Sequence, residues 1–152
     1  MDTRMRLFID GDAFPNLLKP ITLRAIERLK LETYVIANKK INIGKSKYIT
    51  YMVVAQGADE ADDKIVEMVE EDDLVITADI PLADRIISKN AHAIDHRGEL
   101  YSVDNIKQYL AIRNLMQEIR DSGEMTKGPK AFGVKDAHEF ANQLNAFLSK
   151  AF

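Results

Sequence analysis

Two aspartates near the amino end, Asp10 and Asp12, are the first residues in this sequence that are suited to chemistry. They stand on either side of Gly11 in LFIDGDAFP, where an apolar run stops. A carboxylate in this position can simply begin a turn, because Asp-Gly is a common turn dipeptide. It can also bind a metal ion, because carboxylate oxygens are ligands that Mg²⁺ and Mn²⁺ prefer. The rest of the sequence has to supply the other ligands.

Further aspartates stand at the ends of apolar runs or at helix starts. Asp79 follows the apolar run LVITA, and Asp84 lies five residues beyond it. Residues 59–73, DEADDKIVEMVEEDD, contain nine acids and one lysine. Each aspartate alone has a structural explanation, since aspartate caps helix N-termini and complements the helix dipole. Asp62 and Asp63 stand three and four residues after Asp59, and this spacing predicts that the three side chains lie on one side of a helix.

A lysine-rich segment supplies the opposite charge. Residues 38–49, NKKINIGKSKYI, contain four lysines and no acid. Lysines neutralise the phosphates of nucleic acids, so this segment is a candidate contact for a polyanion. Arg85 and Arg97 are weaker candidates for the same contact, because each can instead pair with an acid. The four lysines are Lys39, Lys40, Lys45 and Lys47.

Apolar runs alternate with helical periodicity along the chain, which predicts an α/β fold with a largely parallel sheet. The runs are apolar throughout, as is typical of strands that helices cover on both faces. We predict one domain over residues 1–152 with about five strands. The predicted strands are residues 5–9, 33–37, 50–55, 74–78 and 91–95. The predicted helices begin near Pro20 and Pro81 and cover 60–71, 104–121 and 135–150, with GEMTKGPKAFG as a loop.

The predicted elements place several acids at one edge of the sheet. Ligands of open parallel sheets bind outside the carboxyl ends of the strands, where both Asp10 and Asp79 are expected. Gly11 is expected to let the backbone turn so that Asp12 faces the same cleft. Crowded carboxylates repel one another unless a cation neutralises them. We therefore predict a site for one or two Mg²⁺ or Mn²⁺ ions, suited to phosphodiester hydrolysis, with the lysine segment at the same edge. The predicted metal ligands are Asp10, Asp12, Asp59, Asp62, Asp63 and Asp79.

Length and composition restrict the class of protein. With 152 residues, 46% hydrophobic and 30% charged, the chain has the composition of a soluble globular domain. No cysteine is present, which excludes disulfides and thiolate metal sites. There is no apolar run of the ~20 residues that span a bilayer, and no secretory signal is predicted. We expect a cytoplasmic protein with no membrane partner.

Seven strings in this order resemble the bacterial YaiI/YqxD family, an uncharacterised branch of PIN-like domains. They are FIDGDAFP, VIANKK, GADEADDKIVEM, DLVITADIPLADRII, RGELY, IRNLM and KGPKAF, and they extend over nearly the whole chain. The resemblance implies a three-layer PIN-like fold. In PIN nucleases, acids after the first strand, at an acidic helix and after the fourth strand bind Mg²⁺ or Mn²⁺ and cleave RNA. Carried over by position, these acids are Asp10, Asp63 (with Asp62 or Asp59 assisting) and Asp79, with Asp84 as a further acid.

Three functions remain open at this point. The first is a metal-dependent ribonuclease that acts on single-stranded RNA. The second is a non-catalytic domain that binds RNA or a protein partner and keeps the acids as helix caps or a structural metal site. The third is a haloacid-dehalogenase-like phosphatase with Asp10 as the nucleophile and Thr77 as the hydroxyl of a later strand. The sequence lacks the later acid pair that such phosphatases carry, which argues against the third function.

Two other residue types give weaker signals. The histidines, His92, His96 and His138, are dispersed without the spacing of metal ligands, so no chemical role is predicted for them. Tyrosines of the strands and the lysine-rich segment can stack on bases, although core packing is their commoner role. Asn38 belongs to the string VIANKK, but its chemistry alone assigns it no role.

Overall fold

The computed structural model describes residues 4–57, 59–124 and 131–152. The described strands are β1 (Leu7–Asp10), β2 (Thr33–Ala37), β3 (Ile49–Val53), β4 (Leu74–Ile76), β5 (His92–Ile94) and β6 (Leu100–Tyr101). The described helices are α1 (Leu18–Leu29), α2 (Glu60–Met68), α3 (Ile80–Ser88), α4 (Ile106–Asp121) and α5 (Val134–Ala151). The six strands form one sheet in the order β3-β2-β1-β4-β5-β6.

The centre of this sheet contains a topological switch point. β1 pairs in parallel with β2 on one side and with β4 on the other. The pairs β2–β3 and β4–β5 are also parallel, and β6 joins β5 in antiparallel orientation. The chain therefore builds one half of the sheet outward from β1 and then returns to build the other half from β4. The predicted α/β class is confirmed, and the arrangement is consistent with a three-layer PIN-like fold.

Helices cover both faces of the sheet. Successive strand residues point to opposite faces, so Leu7 and Ile9 pack on one side of β1 and Phe8 on the other. The first face packs against α1 and α5, and the second packs against α2, α3 and α4. This double burial explains why the strands read as solidly apolar runs.

Element bounds differ from the predictions at a few positions. β4 ends at Ile76, two residues earlier than predicted, and α2 ends at Met68 because Val69 already has extended backbone. α1 begins at Leu18, which places Pro20 in its first turn. The two-residue strand β6 is not predicted, because so short a segment carries no periodic signal. Residues 125–130 of the predicted loop lie outside the described residues.

None of the helices described here is both long and apolar enough to cross a bilayer.

A buried ion pair joins the amino ends of β1 and β4. Arg6 directly precedes β1, and Asp73, only 3% exposed, directly precedes β4. The Arg6 guanidinium donates from Nη2 and Nε to Asp73 Oδ2, at 2.9 and 3.2 Å, and the Arg6 backbone N–H donates to Asp73 Oδ1. Asp73 Oδ2 also accepts the backbone N–H of Glu70 at 2.9 Å. These bonds satisfy the buried carboxylate and hold β1 and β4 in the observed register.

We expect Asp73→Asn to lower the free energy of unfolding by about 3 kcal/mol, because it leaves the partly buried charge of Arg6 with only the exposed Glu70, 3.7 Å away, as an ionic partner. The matched control is Asp72→Asn, since the Asp72 side chain is 79% exposed and its positive φ of 70° suits asparagine. The control is expected to change the free energy by less than about 0.5 kcal/mol. Urea denaturation at pH 7 measures both variants, and equal losses would contradict a structural role for this ion pair.

Candidate active site

A cleft of about 340 Å³ opens at the carboxyl ends of the central strands. Four of the predicted aspartates line it: Asp10 at the end of β1, Asp12 in the following turn, Asp62 in the first turn of α2 and Asp79 before α3. The structure thus brings together carboxylates from three separate junctions of the fold. The other lining residues are Ala13, Asn38, Gly57, Ala61, Ala78 and His96.

Thr77 fixes the two acids that flank the switch point. Its side chain is fully buried directly after β4, and its hydroxyl donates to Asp10 Oδ2 at 2.9 Å. The same Oγ1 accepts the backbone N–H of Asp79 at 3.0 Å. Asp79 is the N-cap of α3, and its Oδ1 accepts the Leu82 N–H at 2.9 Å. Asp10 and Asp79 therefore each have one oxygen bonded, and no described residue hydrogen-bonds the other oxygen.

A second set of contacts holds Asp12. Both of its carboxylate oxygens accept the backbone N–H of Asn38, at 3.1 and 3.2 Å, which ties the turn after β1 to the end of β2. A Cβ at Gly11 would lie 3.1 Å from the Cβ of Ala37. Close packing therefore explains the glycine, and the left-handed residue of this stretch is Ala13, with φ of 66°.

The crowded carboxylates change their own acidity. The pKa of Asp10 is raised to about 7, mainly by burial and also by the neighbouring charges of Asp62, Asp12 and Asp79, while the hydrogen bond from Thr77 opposes the increase. Burial likewise raises the pKa of Asp62 to about 6, with added repulsion from Asp79. The cleft thus favours the binding of positive charge, either as protons or as a cation.

Asp62, and not Asp63, is the residue of the helix pair that lines the cleft. Neighbouring helix residues point about 100° apart, so only one of the two faces the sheet edge. The Asp63 carboxylate instead accepts from Arg85 Nη1 at 2.8 Å, and its side chain is 61% exposed. Of the three aspartates that were expected to share one side of the helix, only Asp62 lines the cleft. Asp59 is exposed at the N-cap position of α2.

Two other predicted site residues also make contacts outside the cleft. Asp84 lies in the second turn of α3, and its Oδ1 accepts from Lys107 Nζ of α4 at 3.2 Å. Arg85 is engaged with Asp63 as described above. Neither residue lines the cleft, because α3 directs this part of its surface toward α2 and α4.

The lysine segment does not lie wholly at the carboxyl edge. β2 and β3 are parallel, so the connection over residues 38–48 has to return to the amino edge before β3 begins. Lys39 and Lys40 follow the carboxyl end of β2, but Lys47 lies at the opposite edge beside Arg4 and Lys30. The segment leaves β2 at the carboxyl edge as expected, but Lys47, also predicted to contact nucleic acid, lies at the amino edge. The crossover contains no helix, so the sequence has no periodic pattern that would indicate where the chain returns to the amino edge.

A family model described as "Uncharacterized BCR, YaiI/YqxD family" matches residues 8–150. The chain belongs to the YaiI/YqxD family. A "UPF0178 protein" of Sulfurovum sp. (strain NBC37-1) is 77% identical over 146 residues, which are 96% of this chain and 99% of that protein. A "UPF0178 protein" of Hahella chejuensis is 51% identical over 96% of this chain and 97% of that protein. No solved structure shows a significant match.

The donors in the cleft of this YaiI/YqxD protein have the chemistry that Mg²⁺ and Mn²⁺ require. Four carboxylates and one asparagine supply oxygen donors, one histidine, His96, supplies a nitrogen, and no thiolate lines the cleft. Within residues 4–57, 59–124 and 131–152, no group of three or more His, Cys, Asp or Glu side chains is positioned to hold one metal ion. A metal site therefore stays a prediction that depends on donor chemistry and on the raised pKa values.

Two residues of the cleft, Asn38 and His96, were not predicted from the sequence. His96 lies two residues beyond β5 and packs its ring edge-on against Phe14, with 5.6 Å between ring centroids. Its Nε2 is buried without a hydrogen-bond partner in the described parts of the chain, and burial lowers its pKa to about 4. No other histidine stands at metal-ligand spacing from His96, so the sequence pattern did not mark it. Both His96 and Asn38 lie within two residues of the carboxyl end of a strand, and that position is the signal they share.

The raised pKa of Asp10 predicts how stability depends on pH. The folded state binds this proton more tightly than the unfolded chain, so the contribution of Asp10 to stability falls as pH rises from about 4 to about 7. Asp10→Asn should therefore raise the free energy of unfolding by roughly 1–4 kcal/mol at pH 8 and change it little near pH 4. Chemical denaturation at both pH values measures this effect. Asp104→Asn, at an exposed acid away from the cleft, is the control and should show no such difference between the two pH values.

Proposed function

We propose that this YaiI/YqxD protein is a Mg²⁺- or Mn²⁺-dependent ribonuclease that hydrolyses phosphodiesters of single-stranded RNA. One observation carries the proposal: four carboxylates from three junctions meet in a cleft at the switch point, where burial and mutual repulsion raise the pKa of two of them. Ligands of open α/β sheets bind at such switch points. A cleft that holds several carboxylates against their repulsion is suited to a divalent cation.

Each acid has a role that follows from its surroundings. Asp10 and Asp79 would hold the cation through the oxygens that Thr77 and Leu82 leave available. A bound divalent cation supplies an activated water and neutralises charge on the phosphate. Asp62, with a pKa raised to about 6, is suited to accept a proton near neutral pH. Asp12 is held by the Asn38 backbone and would complete the ligand set.

The phosphatase alternative fits the geometry less well. It needs a pair of acids at the end of a later strand, and Asp95 is the single acid directly after β5. Asp95, the acid that directly follows β5, bonds the backbone N–H groups of Arg97 and Glu99 in a turn. A trapped aspartyl-phosphate on Asp10 would favour the phosphatase instead.

Cleavage of a labelled single-stranded RNA in Mn²⁺ tests the ribonuclease. We expect the Asp10→Asn, Asp79→Asn double variant to be about 100-fold slower or more, which corresponds to about 3 kcal/mol of barrier. The pair Asp62→Asn and Asp63→Asn provides a matched comparison, because only Asp62 lines the cleft. Asp62→Asn should lose activity, and Asp63→Asn should stay within about threefold of the unmodified protein. Cleavage that persists in EDTA, or greater damage from Asp63→Asn, would contradict the proposal.

Metal binding can be measured without any substrate. A ligand present at about 100 times its dissociation constant stabilises the folded state by about 2.7 kcal/mol. We expect Mn²⁺ to raise the melting temperature of the unmodified protein at pH 8 and to leave that of the Asp10→Asn, Asp79→Asn variant unchanged. If Mn²⁺ has no effect on either protein while RNA binding persists, the non-catalytic RNA-binding function is favoured.

A further inference from the structure

A second cavity, of about 370 Å³, lies between the β2–β3 edge of the sheet and the crossover at residues 38–48. Apolar side chains of the two strands and the crossover form most of its lining, and one exposed tyrosine, Tyr51, adds an aromatic ring. No acid lines it. We call this cavity the crossover groove. Its apolar and aromatic lining residues are Val35, Ala37, Ile41, Tyr51, Met52 and Val53.

The crossover that covers this groove is held in one shape. The Tyr51 hydroxyl donates to the Gly44 carbonyl at 2.6 Å and accepts the Ile43 N–H at 3.2 Å. Ile43 is only 4% exposed and belongs to the core. Gly44 has a φ of +137°, and a Cβ there would lie 2.5 Å from Leu23 Cδ2. The groove is therefore formed before any ligand binds, which reduces the entropy cost of binding.

Positive charge surrounds the apolar lining. Lys39, Lys40 and Lys45 line the groove with exposed side chains. None of them forms an ion pair with another described residue. A groove that combines an apolar and aromatic lining with unpaired cations is complementary to a ligand that combines a flat apolar ring with negative charge. A nucleotide of single-stranded RNA has both parts, because its base can stack and its phosphates are anionic.

The groove adjoins the carboxylate cleft. Ala37 lines the groove, and the next residue, Asn38, lines the cleft and donates its backbone N–H to Asp12. The backbone at the carboxyl end of β2 therefore contributes to both sites. An RNA strand with one phosphate in the cleft would pass this strand end, and Lys39, the next residue of the chain, lines the groove.

We propose that the crossover groove is a base-binding subsite for a nucleotide of the strand whose scissile phosphate lies in the cleft, and that it selects single-stranded RNA. This proposal extends the proposed ribonuclease function. The base contacts the apolar lining and Tyr51, while its flanking phosphates contact Lys39, Lys40 and Lys45. A base paired in a duplex cannot enter the groove, so duplex RNA is excluded by shape.

Fluorescence anisotropy in EDTA tests the subsite independently of cleavage. The probes are a labelled hexauridine, an abasic oligomer of the same length and a duplex of the same sequence paired with adenosines. We expect hexauridine to bind at least about tenfold more tightly than the other two, since stacking contributes about 1–3 kcal/mol per base. Three phosphate contacts predict that the logarithm of the association constant falls with the logarithm of the salt concentration with a slope of about −2.

Two lysines of the same segment provide matched variants. Lys45 lines the groove, whereas Lys47 lies at the amino edge of the sheet, and Lys→Glu changes the net charge equally at both positions. Lys45→Glu should weaken hexauridine binding about tenfold and reduce the size of the salt slope by about 0.7. Lys47→Glu should change the affinity less than about twofold.

Val53→Glu should also weaken hexauridine binding. Val53 lines the groove and is 61% exposed, so the change places a negative charge there without disturbing the core.

Several results would overturn the subsite. Equal affinities for hexauridine and the abasic oligomer would show that charge alone is recognised. Equal effects of Lys45→Glu and Lys47→Glu would place the contact elsewhere. A dimer that Val53→Glu dissociates, without any hexauridine binding, would assign the groove to a second copy of the chain. If hexauridine binds at the groove but no RNA is cleaved in Mn²⁺, the subsite is supported and only the ribonuclease is rejected.

Discussion

The pairing of β1 with β4 is the contact on which the rest of the structure depends. It joins the two halves of the sheet, and side-chain bonds fix it at both ends. Arg6 and Asp73 bond before the strands begin, and Asp10 and Thr77 bond where they end. Because every residue between them is buried, a shift of one residue would exchange the two faces of the sheet. The same register also brings Asp10 close to the start of α3.

This architecture stabilises the fold at one edge of the sheet and destabilises it at the other. The amino ends hold a carboxylate with a full set of partners, whereas the carboxyl ends hold four carboxylates with few. Repulsion there is released when a proton or cation binds, so the folded state is prepared to bind positive charge. The crossover after β2 carries cations to the border of this cleft and covers an apolar groove beside it. A negatively charged strand with exposed bases would be complementary to the groove, and to the cleft only when a cation occupies it.

Much of this arrangement could be predicted from the sequence, and the failures have physical reasons. Solid apolar runs predicted the parallel sheet, and the rule for strand ends predicted that Asp10 and Asp79 would meet. Sequence spacing could not choose between Asp62 and Asp63, because the choice depends on the rotation of α2 about its own axis. The position of Lys47 depended on a crossover without periodic structure. His96 follows a three-residue strand, and no other histidine stands at the spacing of a metal ligand from it, so its position in the cleft gave no sequence signal.

The central claim is that the carboxylates at the switch point share a divalent cation. A crystal structure of the protein grown with Mn²⁺, with anomalous diffraction data, tests it most directly. We expect an anomalous peak roughly 2 Å from carboxylate oxygens of Asp10, Asp79 and at least one of Asp12 and Asp62. A cleft without a peak at saturating Mn²⁺, or a peak bound only to acids outside the cleft such as Asp63 and Asp84, would contradict it.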